Sequence, residues 1–250
     1  FKITANGETI EQLSSALEFA PNDYWEGSAV KMTDSTLVLA HTGQSYDGFI
    51  KTFKVASDGS TITKIQDKEH DTSYGQYNSL VRADEDTYVL SYNGSGNDGR
   101  VQTFTIPPDG SSITEVANAA FADNNYSYHN SLVQVDHDTY LNAGFSYNTS
   151  GSSGYYGVLE TFTIPTDGST ITSVANLKYT DANTGTHNKL LKLNANEYIL
   201  VYRGKDSDGY IEMYTVSSDG LTITKKWQNE FDTDNTWNDL VRVEIGRAHV

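Results

Sequence analysis

Thr103-Phe104-Thr105-Ile106-Pro107-Pro108-Asp109-Gly110-Ser111-Ser112-Ile113-Thr114 is the stretch whose reading decides the fold. Its first half alternates polar and apolar residues, as a half-buried strand requires. Asp109-Gly110 is a reversal signal, since Asp accepts local N–H bonds and Gly reaches positive φ without steric cost. Ile113-Thr114 then opens a second strand. The phrase returns around Asp58-Gly59, Asp167-Gly168 and Asp219-Gly220, and Asn6-Gly7 stands in the same place near the start. The lead-in segments are Thr52-Phe53-Lys54-Val55, Thr161-Phe162-Thr163-Ile164 and Met213-Tyr214-Thr215-Val216. A hairpin signature recurring every fifty residues or so marks an internal-repeat protein.

Outward from that hairpin, each repeat parses into four short strands. In the second, they lie near 62–70, 78–83, 87–92 and 100–106, with Asp84-Glu85-Asp86 and a Gly/Asn/Ser loop between later pairs. The run Tyr198-Ile199-Leu200-Val201-Tyr202 is apolar almost throughout, as expected for a strand covered on both faces. A lone four-stranded sheet cannot bury both faces, whereas stacked copies can. The expected fold is therefore an all-β β-propeller with four complete four-stranded blades at about 11–57, 62–108, 113–166 and 171–218. Residues 1–5 match only a fourth strand and 223–243 only a first and second, so a parent of at least five blades is expected. Residues 1–243 are read as one repeat domain. Residues 244–250 break the pattern, resemble the conceptual translation of a sequencing adapter, and are read as a non-native scar.

The formal net charge of −16 opposes nucleic-acid binding. No apolar run approaches a membrane span. Cysteine is absent, which excludes disulfide and thiol chemistry.

The segment Gly209-Tyr210-Ile211-Glu212-Met213-Tyr214-Thr215-Val216, followed by Asp219-Gly220-Leu221-Thr222, resembles the blade repeat of the lactonase-like and YncE-like propellers. The resemblance covers the repeat skeleton and implies a propeller architecture. It carries no catalytic residue onto this chain, and Asn78, Asn130, Asn188 and Asn238 stand where those families have a second-strand proline entry.

The most regular polar feature is an aromatic residue or His followed by Asn: Tyr77-Asn78, His129-Asn130, His187-Asn188 and Trp237-Asn238, with Glu26-Gly27 departing in the first repeat. Asp71, Asp123, Asp181 and Asp232 precede the four Asn residues by six or seven positions. One reading has Asn and Asp capping a turn, bonding main-chain groups that the sheet leaves free. The other makes these twelve residues a set of ligand-binding pockets offering ring, amide and carboxylate, a combination suited to sugars. No cofactor or metal is expected. Ca²⁺ held by loop carboxylates such as Asp47, Asp98, Asp206 and Asp208 is the weaker alternative.

The function expected is a non-enzymatic binding or interaction propeller, exported or on a cell or virion surface, with a glycan or protein surface as partner. The alternative is a lactonase-like hydrolase or lyase, which would need the one-off residues Arg82, Arg100, His137, Arg203 and Lys205 to converge. The insertion at 146–157 is a candidate binding loop, and Asn93, Asn125 and Asn148 lie in N-glycosylation sequons.

Overall fold

The computed structural model describes residues 2–3, 8–12, 16–20, 25–148, 154–181, 184–235 and 237–241, with main chain alone at 2–3, 25, 122–126 and 148. The proposed scar at 244–250 lies outside the described residues. In chain order the strands are β1 (Lys2–Ile3), β2 (Ile10–Glu11), β3 (Trp25–Lys31), β4 (Thr36–Thr42), β5 (Gly48–Val55), β6 (Ile62–Asp71), β7 (Gln76–Arg82), β8 (Thr87–Asn93), β9 (Asp98–Thr105), β10 (Thr114–Gln134), β11 (Thr139–Asn148), β12 (Gly154–Thr163), β13 (Thr172–Lys178), β14 (Thr186–Lys192), β15 (Glu197–Arg203), β16 (Gly209–Val216) and β17 (Ile223–Asp232). No helix among the described residues is long and apolar enough to cross a membrane.

Every Asp-Gly turn closes an antiparallel hairpin, joining β5 to β6, β9 to β10, β12 to β13 and β16 to β17. The turn glycines Gly59, Gly110, Gly168 and Gly220 all sit near φ +70° (73°, 71°, 68° and 70°), a conformation that L side chains disfavour. The small β1–β2 pair flanks Asn6-Gly7 in the same way.

Hydrogen bonding groups the strands differently from the sequence parse. The strand after each Asp-Gly turn completes the sheet before it rather than opening the next one. The first blade is β3-β4-β5-β6 and the fourth is β14-β15-β16-β17. The second is β7-β8-β9 with β10, and the third is β10 with β11-β12-β13. The 21-residue β10 thus serves two sheets. The reason is local: a tight turn delivers its two flanking strands to each other before either meets a third. β17, read from sequence as the start of a partial unit, accordingly closes the fourth blade.

Two compact units divide the chain: Phe1–Tyr128 with Ile164–Thr172, and His129–Thr163 with Ser173–Val250. In the first, Val38, Ala40 and Ile50 pack against Leu80, Tyr88, Leu90, Tyr92, Phe104 and Ile106. In the second, Leu141, Ala143 and Leu159 pack against Leu190, Tyr198, Leu200, Tyr202, Tyr214 and Val216. β8 is buried at every residue, as a strand with both faces covered must be. The last strand of a blade has the opposite character. β17 is exposed along nearly its whole length and carries Lys225, Lys226, Glu230 and Asp232, charges that discourage pairing by foreign strands.

The repeated threonines explain how blades lock together within a unit. Thr52 Oγ1 donates to the Gly110 carbonyl (2.8 Å), and Thr36 Oγ1 to Pro108 O (2.8 Å). Thr103 and Thr87 do the same to Gly168 O (2.7 Å) and Thr166 O (2.8 Å). Thr161 and Thr139 hold Gly220 O and Ser218 O, each at 2.8 Å. Each of the turns at Gly110, Gly168 and Gly220 is thus gripped by two hydroxyls of another blade. Thr52, Thr103 and Thr161 also accept the N–H of Gln66, Ala117 and Ala175. Thr103→Val keeps the shape but strands a buried carbonyl and a buried N–H, at a cost of about 2 kcal/mol. A denaturant midpoint that moves by less than about 0.5 kcal/mol in free energy would show that the grip is incidental.

Candidate functional site

Tyr77-Asn78 lies near the start of β7, His129-Asn130 within β10 and His187-Asn188 near the start of β14, while Trp237-Asn238 follows β17 and the first blade has Glu26-Gly27 on β3; the ladder is irregular at these places. Pairing skips between Gln76 and Ser79 on β7 and between Thr186 and Lys189 on β14, with a similar shift between Trp25 and Gly27 on β3. At each skip one residue is forced to positive φ: Glu26 (28°), Tyr77 (56°) and His187 (55°), with His129 (55°) the counterpart on β10. A bulky non-glycine residue there stores roughly 1–3 kcal/mol of strain. The bulge breaks the two-residue alternation, so the ring and the following Asn take different directions than a regular strand allows.

In the first unit, Tyr77 meets Tyr128 edge-to-face at 5.1 Å between ring centroids. Burial, then the nearby Glu26 carboxylate, push the Tyr77 phenol above its usual pKa. In the second unit, His129 and His187 lie 4.2 Å apart, and His187 meets Trp237 edge-on at 4.4 Å. Burial, then His187, push the His129 imidazole down to about 3; burial, then Arg203, lower His187. Both imidazoles are therefore neutral at pH 7, so the three rings form an uncharged aromatic row. Its last member, Trp237, is 71% exposed. The role of Tyr128, one residue before the expected His129, had no periodic signal in the sequence.

The Asn residues turn inward. Asn78 Nδ2 donates to the Gly75 carbonyl (2.7 Å), which also accepts from Thr42 Oγ1 (2.7 Å). That junction is tight: a Cβ on Gly75 would stand 2.1 Å from the Gly48 Cα, so no side chain fits. Asn188 Oδ1 accepts from the Tyr179 hydroxyl (2.6 Å), and Asn130 Oδ1 from Asn142 Nδ2 (3.1 Å). Asn78, Asn130 and Asn188 are all buried. Asn238 Nδ2 donates to His187 O (3.3 Å) and its Oδ1 accepts from Asn235 Nδ2 (2.8 Å).

The Asp residues stand at turns. Asp71 accepts the N–H groups of Ser73 (3.0 Å), Tyr74 (3.1 Å) and Ser95 (3.2 Å). Asp232 accepts from the N–H of Asp234 (3.2 Å). Asp181 is exposed, 3.7 Å from Lys178 Nζ. The Asp123 side chain lies outside the described residues. The structure therefore gathers rings with rings, while the amides and carboxylates serve mainly to hold the main chain beneath them.

The one-off residues serve local contacts and turns. Arg82 spends its guanidinium on three carbonyls, those of Met32 (2.5 Å), Asp84 (2.6 Å) and Glu85 (2.7 Å), at the far end of β7 from Tyr77. Arg203 donates to Ser207 Oγ (2.5 Å), Arg100 to Asn118 Oδ1 (3.4 Å), and Lys205 lies 3.9 Å from Asp206. His137 is exposed in the turn between β10 and β11. The insertion at 146–157 lengthens the β11–β12 hairpin, which pairs out to Asn148 and Gly154, and Phe145 stacks on Tyr155 at 4.9 Å. Residues 149–153 lie outside the described residues. Asn93 is fully buried and accepts the Ser127 N–H, so its sequon is closed in the folded protein. The side chains of Asn125 and Asn148 lie outside the described residues. Among the described residues, no three His, Cys, Asp or Glu side chains are grouped as metal ligands would be.

No protein-family model and no curated protein matches the chain. Solved structures do. A Nup133 β-propeller domain from Vanderwaltozyma polyspora matches with a TM-score of 0.56 at 8% identity, over 84% of this chain and 63% of that one. An endo-1,4-β-xylanase from Bacteroides thetaiotaomicron matches at 0.52 and 12% identity, over 86% and 80%. A periplasmic gluconolactonase from Pseudomonas aeruginosa matches at 0.41 and 13% identity, over 78% and 69%. At such identities the likeness is one of fold, and the fold is an all-β propeller built from sequence repeats.

Proposed function

We propose that this propeller is a non-enzymatic binding protein, displayed or exported, whose ligand is a carbohydrate. One observation carries the reading: strained bulges hold His129 and His187 in a neutral aromatic row that ends in the exposed Trp237. An uncharged row of tilted and edge-on rings offers ring faces and edges to the apolar face of a sugar ring. Its ring nitrogens supply donors and acceptors for hydroxyls. The first unit repeats the theme with Tyr77 and Tyr128 beside Glu26. Single contacts of this kind are weak, and repetition along a polymeric glycan raises their combined strength.

A glycan array probed with the full chain, followed by tryptophan-fluorescence titration with the best-bound sugar, tests this. Trp237→Ala is expected to weaken binding at least about tenfold, roughly 1.4 kcal/mol. Trp227→Ala, which removes a 43% exposed indole on β17, is expected to leave it unchanged. An array with no bound sugar removes the carbohydrate reading; equal binding by Trp237→Ala removes the row as the site.

A further inference from the structure

The loop between β4 and β5 carries a ring pair that its counterparts lack. The loops at 43–47, 94–98 and 204–208 close in the same way: the N–H groups of Gly43, Gly94 and Gly204 donate to the carbonyls of Asp47, Asp98 and Asp208, each at 2.8 Å. Two consecutive residues in each loop have positive φ: Ser45 and Tyr46 (62° and 70°), Gly96 and Asn97 (81° and 64°), Asp206 and Ser207 (57° and 74°). Gly and Asn adopt this conformation readily, whereas a bulky ring there is an outlier. Tyr46 takes it, and its ring lies parallel to that of Tyr74, with 5° between the planes and 5.9 Å between the centroids. Tyr46 is 46% exposed and Tyr74 is half-buried.

The loop does not need these rings to hold its shape. The Tyr46 carbonyl accepts the Gly75 N–H (2.8 Å), and in the fourth blade the Ser207 carbonyl accepts the Asn235 N–H (2.7 Å). The fourth blade thus pins the same loop to the same turn with Ser207 and Asp234 where the first has Tyr46 and Tyr74. The ring pair also stands among carboxylates. Asp47 follows Tyr46, and Asp71 Oδ1 accepts the Tyr74 N–H (3.1 Å). Burial, then the Asp47 and Asp71 carboxylates, hold the Glu69 carboxyl above its usual range. Three residues past Tyr74, Tyr77 meets Tyr128 edge-to-face beside Glu26. Three residues of chain span no more than about 11 Å, so the two ring pairs are anchored close together on one turn.

Given the carbohydrate binding proposed above, on which this rests, we infer that Tyr46 and Tyr74 form a second glycan subsite in the first unit, next to Tyr77 and Tyr128, and that its ligand is a chain of uncharged sugars. The parallel rings stack on the apolar face of one sugar residue, and the Tyr77 and Tyr128 rings take another. Asp47 accepts from sugar hydroxyls. The carboxylates of Glu26, Asp47, Glu69 and Asp71 repel uronate and sulfate groups, as does the net charge of −16.

Calorimetric titration of the full chain tests this, using neutral oligosaccharides of increasing length built from the sugar best bound on a glycan array. Affinity is expected to rise with length. Tyr46→Asn should weaken the longest ligand at least about tenfold and the shortest one that binds by less than about twofold. Tyr46→Phe should keep the parent's affinity. Asn97 already holds this backbone conformation, so Tyr46→Asn should match the parent's denaturant midpoint, which separates a lost contact from a misfolded chain. Analogues bearing uronate or sulfate groups should bind more weakly than the neutral chain. Unchanged affinity of Tyr46→Asn for the longest ligand overturns the inference, as does an equal loss at every length or tighter binding of the acidic analogues. If Trp237→Ala weakens binding and Tyr46→Asn does not, the second subsite alone falls; the reverse removes only the row in the second unit. A chain that binds no glycan overturns both.

Discussion

Glu212→Ala is expected to cost the second unit about 3–5 kcal/mol, enough to threaten its folding. Glu212 is completely buried on β16. Its carboxylate accepts from the Tyr202 hydroxyl (2.8 Å), from the Tyr214 hydroxyl and from Lys225 Nζ (2.5 Å). Burial, then the Glu212 charge, push both phenols far above their usual pKa, so they remain protonated donors. Removing the carboxylate leaves two buried hydroxyls without an acceptor and a lysine drawn into an apolar face. Urea denaturation is the measurement. Lys225→Met should also be costly, because it leaves a buried carboxylate with neutral donors only. The paired change Glu212→Leu with Lys225→Met should cost clearly less than the sum of the two, since replacing a buried ion pair by apolar groups is far milder than breaking it. A loss below about 1 kcal/mol for Glu212→Ala would mean that the network contributes nothing.

The first unit should lose about 3 kcal/mol of stability between pH 7 and pH 4 through one histidine. His70 is buried, with its ring edge-on to Tyr92 at 4.7 Å and to Phe104 at 6.5 Å. Burial is the main cause that pushes its pKa from 6.5 down to about 4, against a smaller opposing pull from Asp71. The sign follows from where protons bind. Between pH 4 and 6.5 the unfolded chain holds a proton on His70 that the folded chain refuses. The full stability is present above about pH 6.5 and declines as the pH falls toward the folded value. A gap of about 2.5 pKa units corresponds to roughly 3 kcal/mol. His129 shifts in the same direction, but it belongs to the second unit. Denaturant midpoints at pH 7.5 and 4.5, compared between the parent and His70→Phe, isolate the effect. If both proteins lose stability equally on acidification, His70 is not its source.

Much of the fold was legible in the letters alone. Asp58-Gly59, Asp109-Gly110, Asp167-Gly168 and Asp219-Gly220 are hairpins because turn geometry is local, and the alternation around them is a direct record of burial. The threonines at 52, 103 and 161 were visible as repetition, but their task was not. Each grips a carbonyl about 60 residues away, and only stacking brings that carbonyl near. The position shared by Lys51, Gln102, Glu160 and Glu212 has the same history, four polar residues in register that the fold makes buried.

The start of the repeat could not be read from sequence, since a periodic text can be cut anywhere. Hydrogen bonds assigned the strand after each turn to the blade before it. The candidate site divides along the same line. Sequence picked out the ring and the amide of Tyr77-Asn78, His129-Asn130 and His187-Asn188 by their recurrence. Only the tertiary structure separated the two, because a bulge turns each ring to positive φ and sends each amide inward. No local rule predicts an aromatic residue at positive φ; tertiary packing must hold it there.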